Sequence, residues 1–465
     1  MLDRASQFID NVTFDEIAIG QSARLLRTLS LADIDAFAAV SGDFNPTHVD
    51  RDFGHVVHGV TAHGMWGATL ISSLLGTQLP GPGTVYIAQT LEFLLPVRVG
   101  DTLCVSITVC AKHAATGYVT LACQAHNQGG ALVLSGTAVV CAPAHRIHSP
   151  VLHTPRLRLF DPVARQLALL ATVRHLPALR CAVVHPCDAA SLEGALDAAR
   201  LGLIIPLLVG PEDKIRACAD AAGLSLSGIA LEHVPHSLAA AERSVALAAA
   251  GEVGALMKGS LHTDELMHAV IIERALRTGT RLSHVFRFDV PMYDKPLLLS
   301  DAALNIRPSL EEKADIIRNA ITLAHALGTA NPNVAILAAV ETINVKMQST
   351  LDAAALCKMA DRGQIRGATL DGPLAFDNAV SMEAVRIKGI ESKVAGNADI
   401  LIVPDLESGN MLAKQLEYLG GATTCGVVLG ATVPIALTSR ADSADARVGS
   451  AVLAVLLAQT RRGAP

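Results

Sequence analysis

The stretch CAVVHPCDAASLEGALDAARLGLIIPLLVG, residues 181–210, decides the fold of the larger part of the chain. It begins and ends with short apolar runs, and an Ala-rich segment with helical spacing lies between them. Similar apolar runs, VAILAAV, DILIVPD and GVVLG, recur further along the chain. Strands that alternate with helices form βαβ units. From about residue 158 the sequence therefore predicts a doubly wound α/β domain, with a mainly parallel sheet and helices on both faces.

The first 142 residues follow a different pattern. The segments TLCVSITVCA, GYVTLACQAHN and ALVLSGTAVVCA alternate between apolar and polar residues, which is typical of half-buried antiparallel strands. After Cys141 the chain runs through APAHRIHSPVLHTPRLRL, which is rich in Pro, His and Arg and has no sustained period. We therefore predict a multidomain chain with an α+β domain at residues 1–142, a linker at 143–157 and the α/β domain at 158–465.

Composition limits the classes of partner. A chain of 465 residues is too long to fold around one ordinary hydrophobic core. Each of two domains is long enough to bury a core of its own. The formal net charge of -6 provides no basic surface, so no nucleic acid is expected as a partner. The uncharged stretch from Gly420 to Ser439 contains Gly430 and Pro434, and it predicts two buried strands joined by a turn rather than a membrane span.

Cysteine and histidine usage indicates a reducing compartment and no metal site. The nine cysteines are odd in number and include no C-x-x-C pair, so free thiols in a cytoplasmic protein are expected. The N-terminal sequence MLDRASQFIDNVTF has neither the basic start nor the apolar run of an export signal. His55, His58 and His63 have no acidic partner at ligand spacing, so they are expected at surface or capping positions.

The segment FAAVSGDFNPTHVD, residues 37–50, contains the first candidate site. Asp43 and His48 flank a turn in which Pro46 restricts the backbone and Asn45 can cap it with its side chain. Two titratable groups are thereby held on one short, rigid element. A lone D-x4-H pattern would more often mark polar loop residues, and this alternative stays open on these residues alone.

A second segment supplies a site for negative charge. The stretch TAHGMWGATLISSLLG, residues 61–76, is apolar on most faces and predicts a buried helix. Gly64 lies near its start, where an accessible backbone amide and the helix dipole favour developing negative charge. An enolate oxygen on a thioester is such a charge.

Together these segments resemble the MaoC-like, (R)-specific enoyl-CoA hydratases of the hotdog fold. The match covers nearly all of residues 10–140 and consists of Ser41, Gly42, Asp43, Asn45, Pro46, His48, the run His63-Gly64-Met65 and LPGPGTVYIAQTLEFLLPVRVGD. The resemblance implies that Asp43 and His48 hydrate a 2-enoyl-CoA to an (R)-3-hydroxyacyl-CoA. It also implies an oxyanion contact from the Gly64 amide and support of the dyad by Ser72, and we place Asn45 among the residues that contact the substrate.

Three polar clusters follow apolar strands in the C-terminal domain. They lie in ALMKGSLHTDELM (255–267), ILIVPDLESGNML (400–412) and VPIALTSRADSADARV (433–448). Because the carboxyl ends of strands in a doubly wound sheet gather at one crevice, we expect the clusters to converge on a phosphate-binding site. The candidate residues are Lys258, His262, Thr263, Asp405, Asn410, Ser439 and Arg440. A surface lysine that caps a helix and a simple N-cap are the structural alternatives for Lys258 and Asp405.

These stretches also resemble the phosphate acetyltransferase and phosphate butyryltransferase family, from about residue 155 to the end. The matching segments are MKGSLHTDELM, SHVFRFDVP, NIRPSLEEKADII, GPLAFDNAVS, PDLESGNMLAKQL and TSRADS. The resemblance implies a fold like that of isocitrate and isopropylmalate dehydrogenases, and conversion of acyl-CoA and phosphate to acyl phosphate and CoA at Ser439 and Arg440. Two positions depart from frequent residues of the family. Ala446 lies where acetyl-specific members often have an acidic residue, and His268 lies where a basic residue is often found.

Other sequence signals limit the cofactors. The sequence has no G-x-G-x-x-G after a strand, no aspartate cluster suited to a divalent metal and no P-loop. We therefore expect no tightly bound cofactor, with acyl-CoA, CoA and inorganic phosphate as the small-molecule partners. Either both modules are catalytic, or one is an acyl-CoA-binding or oligomerisation unit for the other. A lone hotdog needs a partner to cover its sheet, so we expect at least a homodimer.

Overall fold

The computed structural model describes residues 8–50, 59–150, 159–438 and 442–462. The chain divides into two compact units, Met1–Leu159 and Phe160–Pro465, and each contains a hydrophobic core. Within the described ranges, no helix is both long and apolar enough to cross a bilayer.

The first unit consists of an antiparallel sheet and the long helix that packs against it. Its strands are β1 Phe8–Asp10, β2 Ser22–Thr28, β3 Val85–Phe93, β4 Thr102–His113, β5 Tyr118–His126, β6 Leu132–Cys141 and β7 His148–Pro150, and its helices are α1 Leu31–Ser41, α2 Pro46–Val49 and α3 Gly64–Thr77. The main sheet has the order β2-β4-β5-β6-β3, and β1 pairs with β7 in a separate ribbon. This is the hotdog arrangement that the sequence predicts.

The alternating pattern of the strands builds the core of this unit. In β4, Leu103, Val105 and Ile107 occupy every second position and are at most 1% exposed. Trp66 and Ile71 on one face of α3 belong to the same core cluster. Burial of each such side chain stabilises the fold by about 1.5–3 kcal/mol relative to exposure. The core therefore holds α3 against the sheet.

Residues 143–150, the first half of the predicted linker, are fixed on the first unit. β7 pairs antiparallel with β1. The side chain of buried Asn11 donates a hydrogen bond to the His145 carbonyl and accepts one from the Ile147 amide, both at 2.8 Å. A buried amide needs such partners, and the local sequence pattern gives no sign of this distant pairing. Residues 151–158 lie outside the described ranges.

The second unit is built on one eleven-stranded sheet. Its strands are β8 Leu179–Val184, β9 Ile204–Gly210, β10 Ala230–His233, β11 Ala255–Lys258, β12 Ser283–Asp289, β13 Leu297–Ser300, β14 Asn333–Leu337, β15 Thr369–Leu374, β16 Ile400–Ile402, β17 Thr423–Leu429 and β18 Ile435–Ala436. Its helices are α4 Pro162–Ala171, α5 Ala189–Arg200, α6 Glu212–Ala221, α7 Ser237–Ala249, α8 Thr263–Ile272, α9 Leu310–Ala326, α10 Gln348–Asp361, α11 Phe376–Val380, α12 Met382–Lys388, α13 Leu406–Lys414 and α14 Ala444–Arg462.

The direction of the strands reverses at the centre of this sheet. The order is β10-β9-β8-β11-β18-β17-β12-β13-β16-β14-β15. The pairs β18–β17, β17–β12 and β12–β13 are antiparallel, and the others are parallel, which confirms the mainly parallel sheet. Because of the reversal, β11 and β18 run opposite to β16, and their carboxyl ends lie at opposite edges of the sheet.

The C-terminal segments complete the core of the second unit. The described part of the uncharged stretch, residues 420–438, forms β17 and β18, as predicted. The helix α14 that follows buries Arg447, which is 1% exposed. A Cβ atom at Gly194 on α5 would lie 2.7 Å from the Cβ atom of Arg447, so a glycine is needed for the two helices to approach this closely.

Candidate active sites

The loop that carries Asp43 and His48 folds as its sequence indicates. Helix α1 ends at Gly42, whose φ of 72° lies in the left-handed region that favours glycine. Asn45 then caps α2 with its side chain, and Pro46 occupies the first turn of that helix. These local signals bring the two titratable residues onto one short turn.

Asp43, His48 and a third residue, His63, lie together in the first unit. One carboxylate oxygen of Asp43 and one ring nitrogen from each histidine lie within 4.8 Å of one another. His48 donates its Nδ1–H to the Thr61 carbonyl at 2.9 Å, and His63 donates its Nε2–H to the Asp43 carbonyl at 2.9 Å. The two imidazole rings are 4.1 Å apart between centroids. The backbone carbonyls therefore fix the tautomers of both rings.

The position of His63 differs from the surface or capping role expected for it. His63 is 2% exposed and occupies the N-cap position of α3 without making a side-chain capping bond. Its acidic neighbour Asp43 is 20 residues away in sequence, so local ligand spacing could not reveal the pair. His55 and His58 lie outside the described residues.

The amino end of α3 opens onto an apolar cavity. Within the described residues, the Gly64 amide makes no hydrogen bond, because the His63 side chain leaves the helix uncapped. The cavity has a volume of about 210 Å³. Its lining is mostly apolar and comprises Ala62, His63, Gly64, Gly67, Phe93, Leu94, Leu95, Pro96, Val97, Leu103, Val133 and Leu134. A helix amino end beside an apolar cavity suits a thioester oxygen with its acyl chain.

Ser72, which the hydratase resemblance assigns to support of the dyad, lies on α3 two turns after Gly64. Its side chain faces solvent. Within the described residues its hydroxyl makes no hydrogen bond to Asp43 or His48. The supporting role of Ser72 therefore stays a prediction.

In the second unit, the first polar cluster is held by the neighbouring strand β8. Lys258 is 3% exposed at the end of β11, which is inconsistent with a surface capping lysine. The Gly259 and Ser260 amides continue the ladder by donating to the carbonyls of Val184 and His185, both at 2.9 Å. A Cβ atom at Gly259 would lie 2.4 Å from the Val184 carbonyl oxygen, so this close approach requires glycine.

A large cavity of the second unit lies along α8, which follows this cluster. His262 is the N-cap residue of α8 and is exposed, and Thr263 is the first residue of the helix. The cavity has a volume of about 740 Å³. Asp264 and His268 from α8 line it, as does Asn305 from the loop after β13. His268, one of the two departures from the family pattern, therefore faces a cavity large enough for a substantial part of a CoA thioester.

The third cluster shares an edge of the sheet with the first. β18 pairs in parallel with β11, so Thr438 follows its strand at the same edge as Lys258. Ser439 and Arg440 lie outside the described residues. Thr438 accepts a hydrogen bond from Arg447 Nη1 at 2.9 Å, and both side chains are buried. Burial lowers the pKa of Arg447, although two nearby aspartates act in the opposite direction.

The second cluster lies elsewhere, so the expected convergence of all three clusters is wrong. Its strand β16 runs opposite to β11 and β18, which places Asp405 at the other edge. Asp405 caps α13 by accepting from the Ser408 amide at 2.9 Å. Burial acts to raise the pKa of Asp405, but the Ser408 hydrogen bonds and the nearby cations Lys313 and Arg307 together leave the net pKa lowered. Asn410 donates to the Ala302 carbonyl at 3.3 Å and so contacts the loop that leads to Asn305.

Three further polar residues were missed by the sequence analysis. Asp301 accepts hydrogen bonds from the amides of Ala303, Leu304 and Asn305 and so shapes the loop that lines the large cavity. Asn305 in turn accepts from Arg281 Nε at 2.7 Å. The segment NIRPSLEEKADII was recognised only as a family match, and the position of Asp301 directly after the apolar run LLLS was the available signal.

Family models match residues in both units of the chain. Residues 16–127 match the family described as MaoC like domain, and residues 227–455 match phosphate acetyl/butaryl transferase. The phosphate acetyltransferase of Rhizobium meliloti is 58% identical over 283 residues, which cover 61% of this chain and 90% of that protein. The phosphate butyryltransferase of Clostridium acetobutylicum is 42% identical over 280 residues, which cover 60% and 93%. A branched-chain phosphotransacylase from Enterococcus faecalis V583 has a TM-score of 0.53 and 29% identity, covering 60% of this chain and 99% of that one.

The fold and these matches together define an enzyme with two modules for acyl-CoA chemistry. The first unit contains a MaoC-like domain. Through its second unit, the chain belongs to the phosphate acetyl/butyryltransferase family.

Proposed function

We propose that the chain is bifunctional. The first unit hydrates a 2-enoyl-CoA to an (R)-3-hydroxyacyl-CoA, and the second transfers an acyl group from CoA to inorganic phosphate. Both reactions use a CoA thioester and need no tightly bound cofactor. The observation that carries the hydratase assignment is the grouping of Asp43 and His48 close to His63, which adjoins the uncapped Gly64 amide and the apolar cavity.

In the hydration, His48 and Asp43 act as the acid/base pair. The Thr61 carbonyl holds the proton of His48 on Nδ1, so Nε2 is left to accept a proton. The dyad removes a proton from the attacking water as its oxygen adds to the β-carbon, and returns a proton to the α-carbon. The Gly64 amide and the dipole of the 14-residue helix α3 stabilise the enolate oxygen between these steps.

In the acyl transfer, a phosphate oxygen attacks the thioester carbonyl. The carbon–sulfur bond then breaks, acyl phosphate forms and CoA leaves. Arg440 balances the charge that builds on the phosphate and the carbonyl oxygen, and Ser439 donates a hydrogen bond. Support for this site comes from buried Lys258, which lies at the same sheet edge as Thr438, the residue that precedes Ser439.

The hydratase proposal is tested by loss of crotonyl-CoA absorbance. Asp43→Asn should lower the rate by about 10²–10⁴-fold, because general acid–base catalysis contributes about that factor. Asp35→Asn is a matched control, since Asp35 is an exposed aspartate on α1, and it should retain the rate. An unchanged rate in the Asp43→Asn variant would exclude the dyad.

The transferase proposal is tested by release of CoA from acetyl-CoA and butyryl-CoA with and without phosphate. We expect release to require phosphate and to fall in an Arg440→Ala variant. Comparison of the two substrates also measures the preferred acyl length. Release that does not depend on phosphate would exclude acyl transfer to phosphate.

A second candidate function has only one catalytic module, with the other binding acyl-CoA or promoting oligomerisation. The observation that favours it is Ala446, a buried alanine on α14 at the position where acetyl-specific relatives often have an acidic residue. In that case one of the two assays shows no turnover although acyl-CoA still binds.

We also propose that the chain forms a homodimer or a higher homo-oligomer. The edge strand β3 exposes apolar side chains, including Val85, Ile87 and Phe93, that a second copy would cover. Size-exclusion chromatography with light scattering tests this assignment. The nine cysteines are free thiols, which supports a reducing, cytoplasmic location.

A further inference from the structure

The proposed hydratase dyad has a buried neighbour, His63, that the hydration mechanism does not use. Its ring nitrogen, a ring nitrogen of His48 and a carboxylate oxygen of Asp43 lie within 4.8 Å of one another. Two imidazoles and one carboxylate are a frequent ligand set for Zn²⁺ and related divalent transition metals.

Both imidazoles make the hydrogen bond to a carbonyl that metal-binding imidazoles usually make. Each donates one ring N–H to a backbone carbonyl, His48 to that of Thr61 and His63 to that of Asp43. A bond of this kind orients the ring and leaves the other nitrogen as a lone-pair donor. The Nδ1 atom of His63 is buried and makes no hydrogen bond within the described residues, whereas most buried ring nitrogens have a partner.

We propose that Asp43, His48 and His63 bind a divalent transition metal, best Zn²⁺, and that the bound ion blocks hydration. Zinc–ligand bonds of about 2.0–2.1 Å place tetrahedral ligand atoms about 3.4 Å apart. The ligand atoms therefore have to approach one another, and the exposed side chain of Asp43 is able to rotate toward the histidines. The fourth position is left for water.

The ion and the hydration reaction compete for the same atoms. A metal bound to Asp43 and His48 occupies the lone pairs that the dyad needs for proton transfer. The metal-loaded enzyme is therefore inactive as a hydratase, and removal of the ion restores the rate. This inhibition rests on the proposed hydration, whereas the binding itself does not.

Binding is measured without reference to activity. Metal-free full-length protein is titrated with Zn²⁺ by calorimetry and with Co²⁺ by visible absorption, where cysteine ligands would add intense sulfur charge-transfer bands. Asp43→Asn and His63→Gln should each weaken Zn²⁺ binding by about tenfold or more. His113→Gln is the matched control, because His113 is an exposed histidine at the end of β4 in the same unit, and it should bind as the wild type does.

Folding and activity are measured on the same samples. Asp43 is exposed, so its variant keeps the fold even if His63→Gln does not, and circular dichroism checks both. In the wild type, Zn²⁺ should inhibit crotonyl-CoA hydration over the concentration range in which it binds, and a chelator should restore the rate.

The outcomes separate the site from the proposed function. An unchanged Zn²⁺ affinity in the Asp43→Asn variant, or sulfur charge-transfer bands with Co²⁺, overturns the site. Binding that depends on the cluster without any loss of hydration overturns the inhibition. If Zn²⁺ binding depends on the cluster but the enzyme never hydrates crotonyl-CoA even after the metal has been removed, the metal site is supported. The hydratase proposal is then refuted instead.

Discussion

The hydrogen bond from Arg447 to Thr438 leads to a quantitative prediction for the second unit. The donor Nη1 and the acceptor Oγ1 are 2.9 Å apart, and the two residues are 1% and 4% exposed. A hydrogen bond to a charged group contributes about 1.5–3 kcal/mol. We expect Thr438→Val to lower the free energy of unfolding by that amount. It should also slow phosphate-dependent CoA release, because Thr438 directly precedes the proposed catalytic Ser439.

A double-mutant cycle isolates this bond from the other roles of Arg447. Arg447→Met also removes electrostatic interactions with Asp188 and Asp442, so its own cost is not a measure of the bond. The coupling energy between Thr438→Val and Arg447→Met should be about 1.5–3 kcal/mol. Urea unfolding followed by circular dichroism measures it, and residual CoA release after each incubation marks the transition of the second unit. A coupling energy below about 0.5 kcal/mol would refute the reasoning.

Three further predictions concern packing, charge and pH. Gly194→Ala should destabilise the second unit by about 1–3 kcal/mol, because the new Cβ would lie 2.7 Å from that of Arg447; an unchanged urea midpoint contradicts this. Lys313→Met should cost about 3–5 kcal/mol, because it removes the cation 2.7 Å from buried Asp352; thermal unfolding measures the loss. Glu312→Gln should make acid unfolding less steep below pH 4.5, because the hydrogen bond from the N-cap amide of α9 lowers the pKa of Glu312 from 4.5. The stability that this carboxylate contributes is complete above pH 4.5 and is lost as the pH falls through the lower pKa of the folded state. If the free energy of unfolding falls equally steeply with pH in the variant, the Glu312 carboxylate does not make this contribution.

Two controls accompany these variants. Gly76→Ala adds a methyl group to α3 where no atom lies within 4 Å, so it should leave stability unchanged or raise it by up to about 1 kcal/mol. Lys313→Met combined with Asp352→Leu replaces both buried charges and should recover most of the loss of the single variant. If the double variant is as unstable as Lys313→Met alone, the unpaired carboxylate is not the cause.

Local spacing predicted the elements that carry the first site. The turn around Pro46 was predicted from residue types alone, because Gly42, Asn45 and Pro46 each have a strong preference for one backbone role. The alternation in β4 and the apolar surface of α3 likewise predicted which faces are buried. These features depend on neighbours in the sequence, which is why the sequence sufficed.

Features that depend on distant pairing could not be predicted. An apolar run does not show the direction of its strand, so the reversal at β17, β12 and β13, and with it the position of Asp405, was missed. His63 becomes a neighbour of Asp43 only when α3 packs beside the loop. The burial of Arg447 could not be predicted either, because an arginine in the first turns of a helix is usually solvated. Its burial depends on Gly194 of α5, which packs against it.

The indole of Trp66 makes the first unit separately observable. Trp66 is the single tryptophan of the chain, and it is 5% exposed on α3, two residues after Gly64. Selective excitation of this fluorophore therefore reports on the first unit without any indole emission from the second unit. Because Trp66 shares a helix turn with Gly64 and Gly67, which line the small cavity, an acyl thioester that enters the cavity should change the emission of the intact protein. Ligand entry can thus be followed by fluorescence in the unmodified chain, without a label.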